Sequence, residues 1–125
     1  MKIAITASGV NLNASVDPRF GRCAYFLIVE TEDMSFEALA NTSGELGGGA
    51  GIQSAKRMAE QQVHAVLTGS CGPNAHQTLS AAGIAVMTGV SGTVQEAVAR
   101  YIAGDLAAAS GPTVESHAGM RAQGK

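Results

Sequence analysis

The sequence predicts an α/β protein of three layers, a mixed five-stranded sheet with helices on both faces. Two observations carry that prediction. Five short apolar runs read as strands: Lys2–Ala7, Ala24–Glu30, Ser35–Ala40, His64–Thr68 and Ile84–Thr88. Three segments of helical apolar spacing follow the third, fourth and fifth of them, so the order is βββαβαβα. Strands joined through helices pair in parallel by right-handed crossovers, and strands joined by tight turns pair antiparallel. The expected strand order is 3-2-1-4-5.

Taken in chain order, KIAITA is a short buried strand stopped by Ser-Gly, and residues 8–23 form a long polar loop containing DPRFGR. AYFLIVE is aromatic and β-branched, and TEDM is its hairpin turn into an edge strand, SFEALA. A glycine-rich stretch, NTSGELGGGAG, leads into a helix whose inner stripe is Ile52, Ala55 and Ala59. After HAVLT a helix starts at Pro73, where proline suits the first helical position, with Ala75, Leu79 and Ala82 facing inward. IAVMT is the last strand. A helix from about Thr93 to Ala103 is expected to bury Val94, Ala97, Val98, Tyr101 and Ile102. Residues 1–103 form the α/β domain, and 104–125, without an apolar stripe, read as a flexible tail.

Composition narrows the function classes. The chain has 125 residues, 46 % hydrophobic, with no tryptophan and three phenylalanines, so a cage of aromatic rings is not expected. The formal charge of −2 offers no global basic field for nucleic acid or an anionic membrane. The opening apolar run is too short for a signal peptide, and no run reaches the roughly 18 apolar residues of a membrane span. A soluble, cytoplasmic protein is the expectation. Cys23 and Cys71 then read as reduced thiols or ligands rather than a disulfide.

The predicted topology gathers chemistry at one edge. The segments after strands 1, 3, 4 and 5 open where all three helices begin, which is where open α/β sheets bind ligands. Cys71 lies there, between a strand end and a helix start, and three roles are open to it. A nucleophile lacks partners, since CGPN has Asn74 in place of the second cysteine of a CGPC motif and Gln77 where a phosphatase-type loop needs arginine. A soft-metal ligand suits its sulfur. A small buried turn residue needs no chemistry at all. Cys23 has the same choice between the opening and the sheet interior, and His76 in the next helical turn can reach the opening or simply be a surface histidine.

DPRFGR contributes Arg19 and Arg22, two of only five arginines in the chain. With helix N-termini they form a positive rim suited to an anion. Local pairing of Asp17 with an arginine, with Phe20 packing the loop down, is compatible with that. GELGGGAGIQS has no GxxxxGK[ST], and GAGIQS misses the dinucleotide fingerprint at Ser54, so only an anion-binding nest or a flexible lid is open to it.

Together, KIAITAS, DPRFGRCAYFLIVE and GGGAGIQSAKRMAEQQVHAVLTGSCGPNAHQTLSAAGIAVMTGVSGTVQEAV resemble the dinitrogenase iron–molybdenum cofactor biosynthesis family over about residues 1–103. The combination of DPRFGR with GxxGPNA and LxxAGI carries the resemblance. It implies an α/β fold with a ribonuclease H-like motif and a non-catalytic protein that binds or carries a metal–sulfur cluster. Among the family's members the chain looks most like the small stand-alone ones, including the orange proteins, which hold a molybdenum–copper sulfide cluster non-covalently.

The expected cofactor-binding residues at this edge are Arg19, Phe20, Gly21, Arg22, Gly48, Gly49, Gly51, Ser70 and Gly72, with no catalytic residue. Their own chemistry makes Cys71, Cys23 and His76 candidate metal contacts, whereas the resemblance to the orange proteins requires no direct protein–metal bond. The implied cofactor is a molybdenum–copper sulfide cluster, the alternative being an iron–molybdenum–sulfur cluster. Implied partners are ParA/MinD-type ATPases or other cluster-assembly proteins. Some carriers in the family use a histidine in the loop before the second strand. This chain has none between residues 1 and 63, which counts against a directly ligated iron–molybdenum cofactor. A regulatory interaction module and a thiol enzyme using Cys71 are the rival classes.

Overall fold

The computed structural model describes residues 1–41 and 50–108. It contains β1 (Lys2–Ala7), β2 (Tyr25–Glu30), β3 (Phe36–Ala40), α1 (Ala50–Glu60), β4 (Ala65–Leu67), α2 (Pro73–Ala81), β5 (Ala85–Met87) and α3 (Val94–Ile102). The strands form one mixed sheet in the order β3-β2-β1-β4-β5, as predicted. β1 pairs antiparallel with β2 and parallel with β4, with Ile5 opposite both Leu27 and Leu67.

Alternation along β1 builds two cores. Ala4 joins Phe26, Ile28, Val66 and Val86 on one face, under Ala55 and Met58 of α1 and Ala75 and Leu79 of α2. Ile3 and Ile5 join Leu27, Val29, Ala65 and Leu67 on the other, under Val94, Ala97 and Val98 of α3. Both faces of β1 are therefore apolar, the pattern of a strand covered on two sides. Among the described residues no helix is long and apolar enough to cross a membrane.

The helix stripes differ in detail from those predicted. In α1 the fully buried positions are Ser54, Ala55 and Met58, while Ile52 and Ala59 are half-buried. Ala82 is exposed because it is the C-cap of α2, past the last inward turn. Ile102 is 55 % exposed. At 100° per residue it lies roughly 90° round α3 from the centre of the Val94–Ala97–Val98–Tyr101 stripe. Leu106 packs against the α3-side core and Ala108 bridges Met87, so the chain keeps contact with the sheet for several residues past α3. The rest of the predicted tail, from residue 109, lies outside the described residues.

Local signals set the ends. Thr93 and Glu96 form a reciprocal capping box at the start of α3, at 3.1 and 3.0 Å. In the β2–β3 turn Asp33 accepts from the backbone and hydroxyl of Ser35, which holds its carboxyl below the ordinary value. Gln62, just beyond α1, has φ 60°, a region that costs a side chain energy. Gln62→Gly is expected to raise stability by about 0.5–1 kcal/mol, measured by urea melts, after allowing for the looser unfolded chain.

Candidate functional site

The carboxyl ends of β1, β4 and β5 are tied into one surface by backbone bonds from the loops that follow them. Val16 donates to the Gly92 carbonyl (2.8 Å), Gly89 to Gly69 (2.9 Å) and Phe20 to Ser70 (3.1 Å). Beneath them Thr6 Oγ1 donates to the Asp17 carbonyl (2.7 Å) and shares a hydroxyl–hydroxyl bond with Thr68 Oγ1 (2.9 Å). Both threonines are fully buried, so this bond set closes the sheet end without leaving a polar atom unsatisfied.

The arginine loop is stitched directly to the loop that starts α2. Arg19 and Ser70 form a parallel bridge, and Ser70 Oγ donates to the Pro18 carbonyl at 3.0 Å. Gly69 permits this contact: a Cβ there would lie 2.6 Å from Pro18 Cα and 2.7 Å from its carbonyl oxygen. Phe20 is buried, its ring 5.6 Å from that of Phe26, and Gly21 turns the chain at φ 91°. Arg19 and Arg22 on either side are exposed.

The carboxyl end of the sheet carries Arg19 and Arg22 together with the carboxylates of Asp17 and Glu96. Among the described residues the one ion pair of Arg19 is with Asp17, at 3.9 Å, and no carboxylate lies within ion-pair distance of Arg22. The acidic residues Glu30, Glu32 and Asp33 stand at the opposite end of the sheet, where Glu30 and Glu32 pair with the N-terminal amine and raise its pKa. Gly72, the N-cap of α2, makes no side-chain cap, so the first N–H groups of α2 are not bonded by a capping side chain. These N–H groups and the two guanidinium groups make an electropositive surface in a net-negative chain.

The remaining predicted residues separate. Gly72 is exposed with open space around it, and His76, half-buried, lies one helical turn further on. Gly51 sits where a Cβ would press on Ala75 at 3.3 Å, a packing position between α1 and α2. Gly48 and Gly49 lie outside the described residues. Cys23 and Cys71 are 3 % and 1 % exposed, within the core cluster beneath α1 and α2. They are not joined in a disulfide. Burial, with a smaller push from Asp17, raises the Cys23 thiol to about 12, and burial raises Cys71 to about 11. Among the described residues no group of three or more His, Cys, Asp or Glu side chains is arranged to hold a metal ion.

Two consequences follow for the thiols. At about pH 8 the folded protein should react with a disulfide reagent about 100-fold more slowly than the unfolded chain, because the thiolate fraction falls tenfold per unit of pKa. The folded thiols also retain protons that the unfolded chain loses above its value of 9.0. Their stabilisation is complete below pH 9 and declines from there towards 11–12. Urea melts at about pH 8 and about pH 10.5 should show the decline, and Cys23→Ala with Cys71→Ala should flatten it.

Sequence reasoning missed Asn41. Its Nδ2 donates to the Gly21 and Cys23 carbonyls (3.0 and 2.8 Å), and its backbone N–H donates to Ala24. It fastens the exit of the arginine loop to the end of β3. Only its place, a lone amide directly after an edge strand, signals the role. Thr6 and Thr68 were legible in principle, as hydroxyl residues at the carboxyl ends of two apolar runs.

The sequence model described as dinitrogenase iron–molybdenum cofactor matches residues 1–104. The chain belongs to that family. The orange protein of Desulfovibrio gigas, solved in its apo form, is 43 % identical with a TM-score of 0.88, covering 90 % of this chain and 96 % of that one. A NifB-like protein from Thermotoga is 33 % identical with a TM-score of 0.79, covering 91 % and 97 %. An uncharacterised protein of Methanocaldococcus jannaschii is 31 % identical over 109 residues, 85 % of this chain and 89 % of the relative.

Proposed function

We propose that this protein binds and carries an anionic metal–sulfur cluster at the carboxyl edge of its sheet and performs no catalysis. The observation that carries the reading is the Arg19–Ser70 bridge, which holds two exposed arginines beside the uncapped start of α2. Membership of the family and likeness to the orange protein support the ligand class.

The donor set suits such a cargo. Guanidinium groups and backbone N–H groups complement sulfide charge without a metal–protein bond. Arg19 and Arg22 would supply the charge, and Ser70, Gly72 and the start of α2 the neutral donors. Phe20 and Gly21 fix the loop rather than touch the cargo. The cluster would supply its own redox and metal chemistry, and the protein orients and shields it. Contact of Cys23 or Cys71 with metal would need the thiol uncovered and deprotonated, so His76 is the better-placed candidate ligand.

The favoured cargo is a molybdenum–copper sulfide cluster, in line with the orange protein. Membership of the iron–molybdenum cofactor family supports an iron–molybdenum–sulfur cluster as the second reading. Delivery would be to cluster-assembly proteins or ParA/MinD-type ATPases, in a cytoplasmic setting. Anaerobic reconstitution with tetrathiomolybdate and copper tests the proposal. Strong visible absorption that remains with the protein on desalting, with molybdenum and copper in fixed ratio, is expected. In a parallel anaerobic reconstitution with ferrous iron, sulfide and molybdate, retention of iron and molybdenum there but not of copper selects the second reading, and a colourless, metal-free protein in both rejects both.

A further inference from the structure

The outer edge of β3 carries a pattern that fits itself. Glu30 N–H donates to the Ser35 carbonyl (2.9 Å) and Asn41 N–H to the Ala24 carbonyl (3.0 Å), which fixes the phase of the β2–β3 ladder. In an antiparallel ladder alternate residues face the neighbouring strand. Residues 35, 37, 39 and 41 therefore turn their backbone groups to β2, and Phe36, Ala38 and Ala40 turn theirs outward. The bond from Arg57 Nη1 to the Ala40 carbonyl (2.6 Å) agrees with that phase. Among the described residues no hydrogen bond takes up the outward groups of Phe36 or Ala38, and Phe36 is 41 % exposed.

Charge is placed antisymmetrically along this edge. Glu37, exposed, stands towards the start of β3, and Arg57 of α1 sits at its end. Glu37 is register partner to Ile28, whose side chain packs under α1 and α2, so Glu37 and Arg57 occupy the same face of the sheet. No ion pair joins them among the described residues. A two-fold axis through Ala38 would set Ala38 against Ala38 and Phe36 against Ala40 of the other copy. It would also bring Glu37 of each copy towards Arg57 of the other, on one continuous face.

We propose that the β3 edge pairs with the β3 edge of a second copy of this chain, extending the sheet across a two-fold axis. Self-complementarity selects a second copy, because an unrelated strand would need the same acid-to-cation order. Five residues per copy bury little surface, so the dimer is weak and concentration-dependent. The edge is short, and Arg57 already donates to the Ala40 carbonyl, but no proline interrupts it and the outward groups of Phe36 and Ala38 are left as a pairing template.

Sedimentation velocity up to about 1 mM chain should show a reversible shift to dimer. Ala38→Pro should abolish the shift while leaving the monomer's ladder whole, since only an outward N–H is lost. Glu37→Arg should weaken dimerisation about tenfold, and Glu37→Arg with Arg57→Glu should restore it to within about threefold. On the unaltered chain, the Phe36 and Ala38 amides should gain hydrogen-exchange protection as concentration rises, with no gain at Glu37 or Leu39. A monomer at every concentration overturns the proposal. So does a dimer whose Phe36 and Ala38 amides stay unprotected, or a charge swap that does not restore pairing.

Discussion

Replacing Arg19 and Arg22 together by glutamine is expected to weaken retention of a tetrathiomolybdate–copper cluster about 100-fold with little change in melting temperature. Each guanidinium loses one charge-assisted interaction, about 1.5 kcal/mol, and two such losses correspond to about two powers of ten. The fold should tolerate the change. Both side chains are exposed, and the loop is held instead by the Phe20 ring, the Phe20–Ser70 bond and Asn41. The Arg19–Asp17 contact, at 3.9 Å and exposed on the arginine side, contributes little stability to lose. Affinity measured by cluster transfer to a chelator would separate this result from a general loss of structure. A double variant that holds its cluster as tightly as the parent would remove the arginines from the site.

The second large effect is expected at Gly69. An added Cβ would press into the Pro18 backbone from 2.6 Å, and neither partner is a flexible side chain that can swing aside. Gly69→Ala should therefore cost about 1–3 kcal/mol and displace the loop that carries both arginines. Cluster retention should fall at least as far as in the arginine variant, because position and charge are lost together. Gly72→Ser makes an instructive contrast. It has room, and the new hydroxyl caps the N–H groups of α2, so stability should rise by a few tenths of a kcal/mol. Retention should nevertheless fall, because the hydroxyl occupies donors assigned to the cargo. Thermal melts and cluster retention measured on both variants would show the two signs.

The fold was legible because connection type fixes strand direction. Turns join the first three strands and helices join the rest, so the order 3-2-1-4-5 followed before any packing detail was known. The arginine loop was legible for a related reason. A long polar segment after the first strand had to cross the end of the sheet where three helices begin. Residues whose role depends on a distant neighbour were harder to read. Gly69 looks like an ordinary turn glycine until Pro18, 51 positions earlier in the chain, is seen against it. Asn41 gives no local sign that it closes the other end of that loop. The cysteines illustrate the limit best. The sequence left both the opening and the interior open to them, and the choice of the interior is set by Phe20, Phe26 and the helices above them, which spacing along the chain does not encode.

On the proposed function the carboxyl edge, and not another surface, receives the anion. Tetrathiomolybdate titrated into isotope-labelled protein, followed by backbone amide spectra, tests it most directly. Saturable shifts are expected to concentrate on Arg19, Phe20, Gly21, Arg22, Ser70, Gly72 and Asn74, with the hairpin amides around Glu32 and Asp33 unmoved. Saturable shifts centred elsewhere, or none along the Arg19–Ser70 seam, would contradict it.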